Sequence, residues 1–248
     1  NEFVKKNFSH NTIHIINCAA VVHTKYFYSL NDTFETNVLS MKRFLDFSIK
    51  LKAKSFINCS TSEVYSCQSW TEDGVKESDP ILMSTVEHSQ RTSYAAGKLL
   101  TEFFLKEAVD NKSINGCSIR FANVYSNYEL YDDHIIPYIV NSFKKSNKIK
   151  LLENSKINKR TFLHNYDSCT SILALLENKN SLDGSTYNVG TDEEISILGL
   201  IKIIAEKMRI IDPQITFSGF RKSDPERRLL NTHKIRAITG WRPRISLE

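Results

Sequence analysis

Tyr94 and Lys98 stand four residues apart in Arg91-Thr-Ser-Tyr94-Ala-Ala-Gly-Lys98, where an apolar run of helical period begins. On a helix that spacing puts both side chains on one face, one turn apart. The chemistry it allows is base catalysis by a phenolate. A free tyrosine, with a pKa of ~10, is a poor base at neutral pH, but an adjacent ammonium favours its ionised form. Reaching neutrality takes about 4 kcal/mol of preferential stabilisation, within the means of one lysine in a partly dry cleft aided by a second cation. Upstream, the strand-like run Lys54-Ser-Phe-Ile-Asn-Cys59 ends in the hydroxyl cluster Ser60-Thr61-Ser62. A hydroxyl at the carboxyl end of a strand, facing the pair, would hydrogen-bond the oxygen that the tyrosine deprotonates. Tyr-x-x-x-Lys by itself more often describes a surface helix with a packed ring and a solvated ammonium; the hydroxyl cluster reverses that reading.

The elements that must position these groups follow from periodicity. Thr12-Ile-His-Ile-Ile-Asn-Cys-Ala-Ala20 is a β-branched run ending in small residues, as a buried parallel strand does where a ligand approaches its carboxyl end. His14 within it reads as a packed strand residue. Phe34, Val38, Met41, Leu45 and Ile49 keep the period of an amphipathic helix, with Ser29 and Asn31 as capping candidates and Asn37 as a polar interruption. Further strands are predicted at 55–59, 116–121 and 186–190, and helices at 93–109, 135–143, 166–176 and 195–208. This alternation argues for an α/β fold with a parallel sheet covered on both faces, its strands' carboxyl ends, and with them Ala20, Thr61 and Asn123, along one rim. The polar stretch 68–89 is long enough to serve as a wall or lid over that rim. The 93–109 helix carries apolar residues on more than one face, which suggests burial on two sides, one of them against a second copy of the chain.

A chain of 248 residues with 41% hydrophobic content can bury one or two cores. Its 33 basic and 28 acidic residues leave a formal charge of +5, spread along the sequence as a solvated surface suited to an anionic small molecule and not to nucleic acid. The five cysteines show no Cys-x-x-Cys spacing; several sit in apolar strand-like runs and read as small buried hydrophobes, with a reducing cytoplasm as the simplest setting. No apolar run approaches the ~20 residues of a membrane span, so no membrane partner is expected.

The order Cys18-Ala-Ala, Ser60-Thr-Ser-Glu-Val-Tyr65, Tyr94-Ala-Ala-Gly-Lys98, Arg120-Phe-Ala-Asn-Val-Tyr125, Arg160-Thr-Phe-Leu-His and Tyr187-Asn-Val-Gly190 resembles the extended short-chain dehydrogenase/reductase family. Within it the chain looks like the NAD-dependent nucleotide-sugar epimerases, dehydratases and decarboxylases. The resemblance implies a Rossmann-type NAD-binding domain over 1–122 and 158–180, and a smaller α/β nucleotide-sugar-binding domain over 123–157 and 181–248. It implies NAD as cofactor, contacted by Ala19, Ala20, Asn37, Ser60, Tyr94, Lys98 and Phe121. Asn37 equally fits a solvated helix position. Catalysis would fall to Tyr94 as base, Lys98 as its activator and ribose ligand, and Thr61 at the oxyanion. Glu63 would act after oxidation to a 4-keto sugar, since that ketone acidifies the proton at carbon 5 and permits dehydration, or decarboxylation where carbon 6 is a carboxylate. Thr61-Ser62-Glu63 with Arg91 looks more like decarboxylases and certain dehydratases than like plain 4-epimerases. Ser62, Arg91, Asn123, Arg160, Arg221 and Arg228 would hold the nucleotide-diphosphate sugar, the arginines through bidentate guanidinium–phosphate contacts. Each acidic or basic residue also has a plain reading as surface charge. The family commonly dimerises through the helices at 34–49 and 93–109, which makes a homodimer the expectation.

Such a fold opens with a strand, a Gly-x-x-Gly-x-x-Gly turn and an acidic residue after the second strand. None of these occurs in the 248 residues, and the sequence reads as a fragment of a longer chain. The rival expectation is a catalytically silent binding or regulatory protein of the same fold.

Overall fold

A computed structural model describes residues 13–22, 29–68, 71–83, 92–221 and 224–248. Four strands, β1 (His14–Asn17), β2 (Ser55–Thr61), β3 (Asn115–Phe121) and β7 (Asp183–Val189), form one sheet in the order β1-β2-β3-β7, every pair parallel. Because successive strand residues point to opposite faces, each strand feeds two cores. Phe56, Ile15 and Ile114 pack with Met41, Leu45, Leu105 and Ala108 on one side. Ile57, Cys117, Ile119 and Val189 pack with Leu163, Leu175, Ile235 and Trp241 on the other. The helices doing the covering are α2 (Met41–Lys50) and α3 (Thr92–Asp110) on the first face, with α5 (Asn165–Glu177) and α7 (His233–Thr239) on the second.

The amphipathic run before Lys50 is not one uniform helix. It starts as α1 (Leu30–Thr33), capped by the Ser29 side chain as expected, and widens to a π-helical segment over Phe34–Ser40 before α2. Such segments cluster at functional sites because the widened turn re-aims a side chain. Here that side chain is Asn37.

A second lobe gathers α4 (Ile135–Lys145), α6 (Ile197–Met208), β5 (Lys148–Leu151) and β6 (Lys159–His164) around Ile139, Phe143, Ile149, Phe162, Leu200 and Ile201. β6 pairs with β4 (Asn123–Tyr125) in parallel and with β8 (Glu194–Ser196) antiparallel, while β5 pairs with β9 (Gln214–Phe217). The expected partition of the chain differs from this pairing in two places. β7, assigned to the sugar-binding part, completes the main sheet beside β3; β6, assigned to the dinucleotide part, bonds to strands of the second lobe. Short strands alone do not reveal their partners, since pairing depends on crossovers between segments far apart in sequence.

The stretch predicted as a wall or lid is a wall over its described part. Val75 bridges Leu230, donating to the Leu229 carbonyl at 2.9 Å while its own carbonyl accepts from Asn231 N–H at 2.9 Å. Gly74 makes this possible. Its φ of +78° and backbone atoms 2.8 Å from a hypothetical Cβ leave room for no side chain. Residues 69–70 and 84–89 lie outside the described part.

Candidate active site

The carboxyl ends of β1, β2 and β3 share one rim, and α3 lies across it. Tyr94 and Lys98 are both buried on its first turns, at 6% and 3% exposure. Lys98 Nζ donates to the Cys59 carbonyl at 2.7 Å, which ties the ammonium to the end of β2 two residues before Thr61. Burial pushes the Lys98 pKa down, with Cys59, Cys18 and Glu102 opposing. Thr61 stands where β2 passes into a 3-10 turn over Ser62–Tyr65, its hydroxyl accepting from Glu63 N–H at 3.2 Å. α3 packs against both β2 and this turn. The structure therefore collects the tyrosine, the lysine and the threonine on two touching elements.

Sequence reasoning missed what holds that contact. Ile16-Asn17-Cys18 and Ile57-Asn58-Cys59 are the same tripeptide, and parallel register sets Asn17 beside Asn58. Asn17 Nδ2 reaches Asn58 Oδ1 at 3.4 Å; Asn58 Nδ2 donates to Thr101 Oγ1 at 2.9 Å; Thr101 Oγ1 donates to the Lys98 carbonyl at 2.6 Å. This buried chain of polar groups fixes how far α3 sits along the sheet. The repeated tripeptide was the available signal.

Asn37 turns out to be neither solvated nor idle. Its Oδ1 accepts from Val21 N–H at 2.6 Å, and its amide nitrogen lies 3.4 Å from the Val21 carbonyl, so it clamps the loop that carries Ala19 and Ala20. Ala19 is exposed and Ala20 half-buried at that loop's edge, while Phe121 is half-buried at the end of β3. Ser60 differs from expectation. Its hydroxyl is buried and donates to Glu102 Oε1 at 2.5 Å, because the strand's alternation turns it inward under α3.

Of the acidic and basic candidates, Glu63, Arg160 and Arg228 meet in one buried cluster around Asp224. Glu63 is ion-paired through Oε1 with Arg228 Nη1, while its Oε2 accepts from the Ser66 hydroxyl at 2.9 Å. Asp224 accepts from Arg160 Nη2 at 2.9 Å and from Asn158 Nδ2 at 2.7 Å. Arg160, expected as a phosphate contact, is bound to the protein through both terminal nitrogens. Its Nη1 donates to the Lys159 and Glu226 carbonyls at 2.7 and 3.2 Å, so both terminal nitrogens are committed to binding down the 224–228 segment. Burial first, and then the neighbouring Arg228, lower its pKa to about 10. Arg228 is different, since its Nε and Nη2 are buried with no hydrogen-bond partner among the described residues, Nη2 lying 3.8 Å from Asp224. Arg221 is half-buried, its backbone held from both sides by buried Asn154 at 2.8 and 3.0 Å. Asn123 is half-buried at the start of β4, and Ser62 is buried in the 3-10 turn. Arg91 lies outside the described residues.

For a dinucleotide, these residues fit one end. A buried ammonium with a single carbonyl partner among the described residues has N–H groups left for ribose hydroxyls, and the small residues at 19–20 leave backbone open beside it. The glycine-rich turn that cradles a pyrophosphate is not among the 248 residues. A cavity of about 1140 Å³ opens elsewhere, between α3 and the edge of β7, lined among others by Glu77, Phe103, Lys106 and Lys234. None of the candidate residues lines it.

A family model described as the NAD dependent epimerase/dehydratase family matches residues 2–190. The chain belongs to this family. Among its relatives, an uncharacterised protein of Schizosaccharomyces pombe is 29% identical over 275 residues, covering 95% of this chain and 72% of that one. The dTDP-D-glucose 4,6-dehydratase of Homo sapiens is 25% identical over 201 residues, or 78% of this chain, which spans only 53% of the human enzyme. A dTDP-glucose 4,6-dehydratase of Streptomyces venezuelae, solved with NAD bound, superposes with a TM-score of 0.81 at 22% identity, over 95% of this chain and 69% of that one. That likeness confirms the fold of this epimerase/dehydratase-family chain as a Rossmann-type α/β structure.

Proposed function

We propose that this chain carries the catalytic groups of an NAD-dependent enzyme that oxidises carbon 4 of a nucleotide-diphosphate sugar, followed by dehydration, decarboxylation or epimerisation. The observation that carries the proposal is the burial of Tyr94 and Lys98 on one face of α3, with Lys98 anchored at the end of the strand that delivers Thr61. NAD, when bound, supplies the hydride acceptor. Tyr94 takes the proton from the sugar hydroxyl, Lys98 favours the phenolate and binds ribose, and Thr61 hydrogen-bonds the oxygen as charge develops on it. Arg228, whose Nε and Nη2 are buried without a hydrogen-bond partner among the described residues, is the cation this reading assigns to the anionic diphosphate. Glu63 is the acid that separates dehydration and decarboxylation from simple epimerisation, and its pairing with Arg228 links that step to the seating of the nucleotide.

Leu100 and Phe103 of α3 and Phe44 of α2 are exposed at 39%, 60% and 37%, on the two helices through which the same proposal has the chain dimerise. A monomeric mass by light scattering at micromolar concentration would count against that. Among the described residues no helix is long and apolar enough to cross a membrane.

The test is incubation of the protein with NAD and a panel of nucleotide sugars, following 4-keto intermediates and products by mass spectrometry. Tyr94→Phe should lower turnover by about 10²–10⁴ with sugar binding retained. Unchanged turnover eliminates Tyr94 as the base. Binding without turnover by the unmodified protein favours the silent-protein alternative.

A further inference from the structure

The matched Ile-Asn-Cys tripeptides do more than pair their amides. Continuing the register one residue past Asn17 and Asn58 puts Cys18 opposite Cys59, and their sulfurs are 3.5 Å apart. Cys18 is exposed and Cys59 is half-buried, whereas Cys117 is fully buried in the core. Of the five thiols, only Cys117 behaves as the buried small hydrophobe expected of cysteines here. The two rim thiols are chemically unequal. Cys18 is lowered to about 6, first by the hydrogen bond from Cys59 and further by the Lys98 ammonium, against the effect of burial. Cys59 is raised by the same hydrogen bond and by burial. One member is thus an accessible nucleophile, and the other is a protonated neighbour within reach of its sulfur.

We propose that Cys18 and Cys59 form a reversible thiol-modification site whose co-reactant is a low-molecular-weight disulfide. The Cys18 thiolate attacks one sulfur of the small disulfide, forming a mixed disulfide and releasing one small thiolate. The Cys59 thiol gives its proton to that thiolate, and its sulfur then attacks Cys18 Sγ, expelling the second small thiolate. Two protein thiols are oxidised to one disulfide, and one small disulfide is reduced to two thiols. The closing step needs the sulfurs to approach from 3.5 Å to ~2.05 Å. Cys18 sits one residue beyond the end of β1, where no ladder hydrogen bond holds it back. The bond would form at the carbonyl that holds Lys98, so the modification bears directly on the rim. The chemistry itself is independent of the sugar reaction proposed above.

The experiment uses the whole chain, reduced and then exposed to glutathione disulfide, quenched with a maleimide and mapped by peptide mass spectrometry. The expected product is a Cys18–Cys59 cross-linked peptide, two hydrogens lighter than its reduced halves and restored by dithiothreitol. Cys67 and Cys169, also exposed, are the internal references. At pH 6, where an ordinary thiol is almost wholly protonated, Cys18 should react on the order of tenfold faster than either, after allowing for the lower intrinsic nucleophilicity of a low-pKa thiolate. Cys59→Ala should halt Cys18 at the mixed disulfide. Mixed disulfides spread evenly over Cys18, Cys67 and Cys169, with no cross-link, overturn the proposal.

Discussion

Among the described residues, two glutamate–arginine pairs are buried on both sides, and burial does not tell them apart. Side-chain exposures are 5% and 5% for Glu102 and Arg120, against 9% and 6% for Glu63 and Arg228. Their partners do. Arg120 donates from Nε and Nη2 to the two oxygens of Glu102 at 3.0 and 2.6 Å, and from Nη1 to the Tyr65 hydroxyl. Glu102 also accepts from Ser60, and the Tyr65 hydroxyl donates to Asn188 Oδ1 at 3.1 Å. Every nitrogen of that guanidinium is used. Arg228 grips Glu63 with one nitrogen and leaves two buried donors without a hydrogen bond among the described residues. A saturated buried network holds a fold in one arrangement, whereas an unsaturated one carries a desolvation cost that an incoming anion relieves. The first pair braces α3 against the sheet; the second is the pair that the proposed function assigns to the nucleotide sugar.

The largest expected effect breaks the saturated pair. Arg120→Met leaves Glu102 as an uncompensated buried charge and should lower unfolding free energy in urea by about 3–5 kcal/mol. A loss below about 1 kcal/mol would mean that the network contributes nothing as a unit. Next comes Arg228→Lys, which retains a cation for Glu63 but loses the fork. Calorimetry should show binding of a nucleoside diphosphate weakened by about 1.5–3 kcal/mol, with the midpoint of unfolding moved much less. Equal affinity would remove Arg228 from the binding site.

Another buried cation sharpens the contrast, because Lys98 has a carbonyl and no carboxylate as its hydrogen-bond partner among the described residues. Its pKa is lowered from 10.5, so the folded state holds its proton less tightly than the unfolded one. Its contribution to stability is therefore present above pH 10.5 and lost as pH falls through the folded value. Lys98→Met should leave stability at neutral pH equal or higher while abolishing NAD binding, read by thermal unfolding and fluorescence titration. A large loss of stability would mark Lys98 as structural. The smallest effect belongs to His14, lowered below 6.5 by burial and then by Lys54, with Nδ1 2.7 Å from Ser55 Oγ. Stability curves of the parent and His14→Asn should run parallel above pH 6.5 and converge below it, as the parent loses this contribution.

Much of the framework was legible beforehand because it is written in local periods. The strands at 55–61 and 115–121 and the helices at 92–110, 135–145, 165–177 and 197–208 all lie where apolar alternation or helical spacing put them. The π-helical turn was not, since a widened turn changes one hydrogen-bond step and leaves the apolar spacing almost untouched. Short strands such as β4, β8 and β9 carry too few residues for a period to show. The roles of Asn17, Asn58 and Thr101 were hidden because an amide inside an apolar run looks like a flaw until its partner on the next element is known.

The order of residues alone determined that Tyr94 and Lys98 share a helix face and that a hydroxyl cluster closes the strand before them, because both depend on spacing within a single element. Tertiary structure decided which charges meet. Glu63 and Arg228 are 165 positions apart, and their contact exists only because the segment at 224–231 folds back over the turn after β2 and is pinned there by Val75. In the same way, parallel register, and not sequence distance, set Cys18 against Cys59. Local chemistry follows from covalent neighbours; the state and purpose of a buried group follow from whatever the packing brings to it.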